Sequence, residues 1–256
     1  MLEDLEKYDK RNALMRKETG MTTTGKITKY DGERLYIIAP FTNKYLLEKQ
    51  RPEEVEIRLI DSRKVSAKQR NKIFALINDI GNFVSRVQNN REYEEMRREL
   101  QVNYIYDITD NEALRRTITK KYCDLCNIDI FSLSDCSMST AADFIDWLVE
   151  KCIRYSIPCN DSLLYLCEDS GRYIYACVAE RKCAICGKKA EIHEWEKVGM
   201  GGNRRKMHHL GQLVEPLCRQ HHHEEENIGQ EAFDLKYIIH PIKLDEYLCK
   251  KIGWKA

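Results

Sequence analysis

Along the chain the apolar positions change period several times, and each change marks an element. Lys26-Ile27-Thr28-Lys29-Tyr30 and Arg34-Leu35-Tyr36-Ile37-Ile38 alternate around an Asp31-Gly32 turn dipeptide, which predicts a β-hairpin. Glu54-Val55-Glu56-Ile57-Arg58-Leu59-Ile60 also alternates, with Val55, Ile57 and Leu59 on one face, and predicts a third strand. From Ser66 the period lengthens. Ile73, Leu76, Ile77, Ile80, Phe83 and Val84 recur at three- and four-residue steps behind Ser66 as N-cap, the pattern of an amphipathic helix. Residues 92–100 predict a charged helix. Thr109-Asp110-Asn111-Glu112 reads as a capped start for a helix through 114–126. Ser139-Thr140 opens another, with Phe144, Ile145, Leu148, Val149, Cys152 and Ile153 as its buried stripe. Beyond Pro158 and Asn160-Asp161, residues 161–180 predict a further helix that Gly171 weakens. Residues 1–21 are charged and poor in apolar positions, a flexible lead-in with no assigned function.

Composition adds limits. A chain of 256 residues, 43% hydrophobic, fills one large or two ordinary domains, and two are expected. Forty-two basic against 41 acidic residues leave a net charge of +1, so a site for a polyanion has to be a local patch. One such patch is the start of the helix after Ser66, where Arg63, Lys64, Lys68, Arg70 and Lys72 offer either a solvated face or phosphate contacts. The charged start Met1-Leu2-Glu3-Asp4 lacks a signal-peptide core, and nowhere do about 18 apolar residues run together. A soluble cytoplasmic protein with no membrane partner is the expectation. Its 11 cysteines are an odd number, which in a reducing compartment favours thiols and metal ligands over disulfides.

The densest chemistry lies near the C-terminus. Cys183-Ala184-Ile185-Cys186-Gly187 and, further on, Cys218-Arg219-Gln220-His221 give the C-x2-C…C-x2-H spacing of a tetrahedral zinc site. A module this small has too little core to fold unaided, so structural Zn2+ on Cys183, Cys186, Cys218 and His221 would supply folding energy directly. Four histidines remain nearby for other work: His193, His208, His209 and His222. His223 is expected to be solvated. Arg204, Arg205 and Lys206, on a Gly-rich segment, offer phosphate contacts. A second C-x2-C, Cys123 and Cys126, falls inside a helical pattern without a matching ligand pair and is expected to be packing.

Two resemblances follow from these residues. Val55-Glu56-Ile57 leading into residues 62–80, together with Cys136-Ser137-Met138-Ser139-Thr140 leading into residues 141–150, resembles the phage lambda NinB/Orf family of recombination mediators over about residues 50–175. That resemblance implies a dimer that binds single-stranded DNA and helps recombinases load, with the basic helix start facing the DNA backbone. Residues 181–256 resemble the phage HNH nuclease family, through Cys183-x-x-Cys186-Gly187, Ile192-His193, Val198-Gly199-Met200-Gly201, Arg204-Arg205-Lys206, Leu217-Cys218-Arg219-x-His221-His222-x-Glu224 and Ile228-Gly229. It implies a ββα-metal fold in which His193 and His222 hold a catalytic divalent ion, Mg2+, Mn2+ or Ni2+. In that family the residue after the first ligand is usually a His acting as general base. Here it is Glu194, and Glu226 stands where relatives often carry a further His, so His208 or His209 becomes the base candidate.

The expectation is therefore an α+β protein with three parts. Residues 1–21 form the lead-in, 22–178 a mixed DNA-binding domain of a small antiparallel sheet plus helices, and 179–256 a zinc-stabilised HNH module. The catalytic set is His193, Glu194, His209 and His222. The expected role is binding of DNA, single-stranded or as recombination intermediates, and phosphodiester cleavage, as a homodimer beside a recombinase or single-strand-binding protein in the bacterial host cytoplasm. The alternative is a non-catalytic mediator with a degenerate HNH zinc module.

Overall fold

The computed structural model describes residues 23–40, 48, 55, 57, 59–87, 93–100, 111–195 and 209–255. The chain divides into two compact units, Met1–Ile60 with Leu125–Asn127, and Asp61–Asp124 with Ile128–Ala256. The lead-in 1–21 lies outside the described residues.

In the first unit β1 (Lys26–Tyr30) pairs antiparallel with β2 (Leu35–Ile38), from Lys26 opposite Ile38 to Tyr30 opposite Leu35, with an irregularity between Ile27 and Lys29. The turn is built on Asp31, whose carboxylate accepts from the backbone N–H of Arg34 at 2.8 Å, and on Gly32, whose φ of +97° suits a residue without a Cβ. The predicted third strand is not seen among the described residues. Val55, Ile57 and Leu59 are exposed and belong to no strand, while Glu54, Glu56 and Arg58 lie outside the described residues.

The second unit is organised by two long helices, α1 (Ala67–Arg86) and, after α2 (Glu94–Leu100) and α3 (Asn111–Cys126), α4 (Met138–Arg154). Ser66 caps α1 in a reciprocal capping box with Gln69. The α4 cap is Ser137, two residues before the predicted start, because Ser137 accepts from Thr140 N–H. A backbone clasp explains the shift. Val65 N–H donates to Cys136 O and Met138 N–H to Arg63 O, each at 2.9 Å, so the two lead-ins are tied together and both helices begin from that knot. The α1 and α4 stripes then meet, burying Ile73, Leu76, Ile77, Ile80, Phe144, Ile145 and Leu148 completely. Tyr122 of α3 adds its ring to Phe144 and Trp147. Thr109 and Asp110, part of the predicted α3 cap, lie outside the described residues.

Residues 161–180 form two helices instead of one, a short α5 (Leu163–Leu166) and α6 (Ser170–Ala179). The break is held from α4. Buried Asp146 accepts from the backbone N–H of Glu168 at 2.7 Å and of Asp169 at 3.2 Å, and Asp169 then caps α6. Burial pushes the Asp146 carboxyl from its ordinary 3.8 up to about 6. The unfolded chain therefore ionises this group first as pH rises, and the stability it contributes below about pH 4 is lost by about pH 6. Asp146→Asn keeps an oxygen for both N–H groups and removes the titration. Its melting temperature relative to the parent is expected to rise from pH 4 to pH 7; a constant difference across that range would refute the shifted titration.

The C-terminal part carries a three-stranded antiparallel sheet in the order β3 (Glu191–Glu194), β4 (Leu213–Leu217), β5 (Ile242–Lys243). Three helices accompany it: α7 (Arg219–Ile228), α8 (Gln230–Tyr237) and α9 (Glu246–Ile252). α6 packs on β4, β5 and α9, and Tyr173 of α6 donates its hydroxyl to Ala184 O at 2.7 Å. The architecture is mixed α and β with small antiparallel sheets. No described helix is long and apolar enough to cross a membrane.

Candidate functional site

The turn bearing the first two cysteines is a tight knuckle. Cys183 N–H donates to Lys188 O at 2.7 Å, Gly187 N–H donates to Cys183 O at 2.8 Å, and Gly187 sits at φ +68°. Ala184 N–H donates to Pro216 O at 3.0 Å, which docks the knuckle on β4 just before that strand delivers Cys218 to the start of α7. Cys218 is the α7 N-cap residue, and His221 follows within its first turn.

The four ligand atoms lie within 4.8 Å of one another. Cys183 Sγ and Cys218 Sγ stand 3.4 and 3.2 Å from His221 Nδ1, and Cys186 Sγ stands 3.7 Å from Cys218 Sγ. A tetrahedron with metal–sulfur bonds of about 2.3 Å has sulfur–sulfur edges of about 3.8 Å, so the spacing is that of zinc ligands. Burial pushes the Cys183 thiol up to about 12. Burial acts the same way on Cys218, but hydrogen bonds from the His221 backbone and the neighbouring thiols bring its pKa below the ordinary range. Burial also lowers the His221 pKa and so favours the neutral imidazole that a metal takes. The donor set fits Zn2+. Cys123 and Cys126 lie in α3, and neither joins a group of three or more metal-ligating side chains among the described residues.

A second group gathers between β3 and α7. His193 Nε2 lies 3.3 Å from Glu225 Oε2, the His193 and His222 rings are 4.4 Å apart, and the three ligand atoms fall within 4.8 Å. Glu225 is 3% exposed, and among the described residues its Oε2 has the His193 ring as its near polar neighbour and no well-aligned hydrogen bond. Two imidazoles and a carboxylate fit a first-row transition-metal dication of borderline softness that keeps open positions for substrate oxygens. Glu226 is instead half-exposed, 3.9 Å from His222 Nε2 and 3.6 Å from His223 Nδ1, and His223 is exposed as predicted.

Glu225 is not among the residues that the sequence predicts for the site. The signal for it is its position three residues after His222, on the same face of a helix. Behind it stands Glu215, the cross-strand partner of His193, fully buried with neither carboxylate oxygen hydrogen-bonded. Burial, reinforced by the charges of Asp234 and Glu225, pushes the Glu215 carboxyl up to about 8.

Glu194, next along β3, belongs to a different group. Its Oε1 is 3.8 Å from His209 Nδ1, and that nitrogen is 2.9 Å from Gln212 Oε1. His208, Arg204, Arg205 and Lys206 lie outside the described residues.

The basic start of α1 is largely neutralised. Arg63 pairs with Asp61, Lys64 with Asp135 and Lys72 with Glu168 at 2.6–2.9 Å, while Lys68 is exposed and Arg70 half-buried.

The family model described as "Putative HNHc nuclease" matches residues 39–254, which spans the helical region as well as the two metal-ligating groups. No curated protein and no solved structure matches the chain. With most of its length matched, and a cluster of three cysteines and a histidine beside a group of two histidines and a carboxylate on one strand-and-helix frame, the chain belongs to the HNHc nuclease family.

Proposed function

We propose that the protein is a divalent-metal-dependent endonuclease that cleaves DNA phosphodiester bonds at His193, His222 and Glu225. The observation that carries this reading is the convergence of those three ligand atoms within 4.8 Å across β3 and α7. A cation bound there supplies Lewis-acid stabilisation of charge on the phosphate and the leaving oxygen. His209 is the base. With Nδ1 protonated and donating to Gln212 Oε1, its Nε2 lone pair takes the proton of the attacking water. Glu194, on the Nδ1 side, offsets the positive charge that the ring then gains, so the carboxylate works as the partner of a histidine and not as the base itself. Neighbours on a strand project to opposite faces, so this reading requires the scissile bond to lie across the end of β3, where it would meet both groups.

Lys68, Arg70 and the Arg204-Arg205-Lys206 segment are the phosphate contacts of this proposal. Structural zinc on Cys183, Cys186, Cys218 and His221 holds the frame. On the resemblance of residues 50–175, residues 22–178 position single-stranded DNA or a recombination intermediate for residues 179–256 to nick. The protein then works as a homodimer alongside a recombinase or single-strand-binding protein in the host cytoplasm. The second reading, a non-catalytic recombination mediator, is favoured by Glu194, which puts a carboxylate where the family usually has an imidazole.

Purified protein incubated with single-stranded, duplex and branched DNA in Mg2+, Mn2+ or Ni2+ is expected to produce nicked or cut products in at least one metal. Binding without cleavage in every metal would overturn the nuclease and leave the mediator.

A further inference from the structure

The C-terminal tail reaches back to the proposed base. α9 ends in a paired turn: Gly253 sits at φ +75°, its N–H donates to Lys250 O at 3.3 Å, and Trp254 N–H donates to Cys249 O at 2.8 Å. The helix behind this turn is firmly seated. Leu248, Cys249 and Ile252 are buried, Arg181 donates to Ile252 O at 2.5 Å, and Asp245 caps the first turn through Leu248 N–H at 2.7 Å. The direction in which Trp254 leaves the helix is therefore set by backbone hydrogen bonds. It leaves toward His209, with ring centroids 4.6 Å apart, and the next residue accepts the His209 backbone N–H on Lys255 O at 2.9 Å.

His209 needs such support. It belongs to no helix or strand, and regular structure does not hold its imidazole. What holds the ring comes from three separated places: Trp254 against the ring, Gln212 on Nδ1, and Glu194 beside that nitrogen. Gln212 Oε1 at 2.9 Å and the Glu194 carboxylate at 3.8 Å both favour a proton on Nδ1, and Trp254 restricts the plane of the ring. Among the described residues no hydrogen bond is seen at Nε2, the nitrogen that meets a proton in this reading.

We infer that Trp254 is a positioning residue for the nuclease reaction, clamping the His209 imidazole in the orientation from which it takes the proton of the attacking water. The inference rests on the reading of His209 as the base. Orientation of this kind is worth about 10- to 100-fold in rate, the range found for groups that hold a catalytic side chain without touching the reactants.

The test is single-turnover cleavage of a fluorescent DNA oligonucleotide in Mn2+ by the zinc-loaded full chain, with zinc content and melting temperature measured on every variant. Trp254→Ala is expected to lower the cleavage rate about 10- to 100-fold with DNA affinity and zinc content unchanged. Trp254→Phe, which keeps an aromatic face, should recover to within about threefold of the parent, while Trp254→Leu should not. His209→Ala should be slower than Trp254→Ala, and the double variant no slower than His209→Ala alone, because the clamp acts only through that ring. Losses that multiply in the double variant would overturn the inference. So would equal rates for the Phe and Leu variants, a comparison that still decides the matter if Trp254→Ala does not fold. His209→Ala at the parent rate would instead show that the assignment of the base is wrong, and a parent that cuts no DNA in any metal would overturn both.

Discussion

Replacing Cys218 with Ser is expected to abolish zinc binding at Cys183, Cys186, Cys218 and His221 and, with it, the order of residues 181–255. Cys218 is 6% exposed, caps α7, and stands 3.2 Å from His221 Nδ1 and 3.7 Å from Cys186 Sγ, so it touches two other members of the ligand set. A serine hydroxyl is a poor substitute for a thiolate. Structural zinc in small modules contributes about 10–16 kcal/mol of apparent binding energy, which is also folding energy. Among the described residues the apolar cluster at the knuckle itself is Cys183, Ala190 and Cys218 with Ile185 against it, and the buried Val214, Phe233 and Leu248 elsewhere in the region do not take over the job of tying the knuckle to α7. Zinc per chain should fall from about one to near zero, and proteolysis should open residues 181–255, while the α1–α4 core keeps its helical signal. Because α6 packs on β4 and gives the Tyr173 hydroxyl to Ala184, that helix should loosen as well. Unchanged zinc content would refute the ligand assignment.

His222→Ala is the complementary case, with cleavage lost and the fold kept. His222 is adjacent to His221 of the Cys183, Cys186, Cys218 and His221 group but lies in the other group, with His193 and Glu225. Partners that merely orient a metal-bound histidine are worth about 10- to 100-fold, so removal of a direct ligand should cost at least about 100-fold, or about 2.7 kcal/mol of transition-state stabilisation. Zinc content and melting temperature should match the parent, and a higher Mn2+ concentration should restore part of the rate if the loss is one of metal affinity. Cleavage at the parent rate would remove His222 from the site. Together the two variants separate scaffold from chemistry: one loses both metal and fold, the other activity alone.

What is legible in the sequence is what depends on near neighbours. The β1–β2 hairpin, the Ser66 cap and each of the two halves Cys183/Cys186 and Cys218/His221 rest on a spacing of a few residues; the hairpin and the cap are present as read, and the four Cys and His side chains come together. The features that escape depend on partners far along the chain. Ser137 instead of Ser139 caps α4 because residues 63–65 clasp 136–138, and the helix predicted over 161–180 breaks because Asp146 captures two backbone N–H groups more than 20 residues away. The ion pairs of Lys64 with Asp135 and Lys72 with Glu168 are likewise invisible in the sequence, because the partners stand 71 and 96 residues apart. Glu225 is hidden among Glu224, Glu225 and Glu226, three adjacent carboxylates of which one is buried. Only a helix phase anchored on His222 distinguishes it.

That phase has a thermodynamic consequence. His221 and His222 are consecutive residues of α7, and a step of one residue turns the helix by about 100°. One short helix thus sends adjacent side chains to two different centres. Whatever fixes the first fixes the azimuth of the second, so on the proposed reading zinc bound at Cys183, Cys186, Cys218 and His221 would spare a cation at His193, His222 and Glu225 the entropic cost of ordering its ligands. Linkage is reciprocal, and the second cation must tighten the first by the same factor. Zinc exchange measured with and without Mn2+ would read that factor directly, as a coupling constant carried by a single turn of helix.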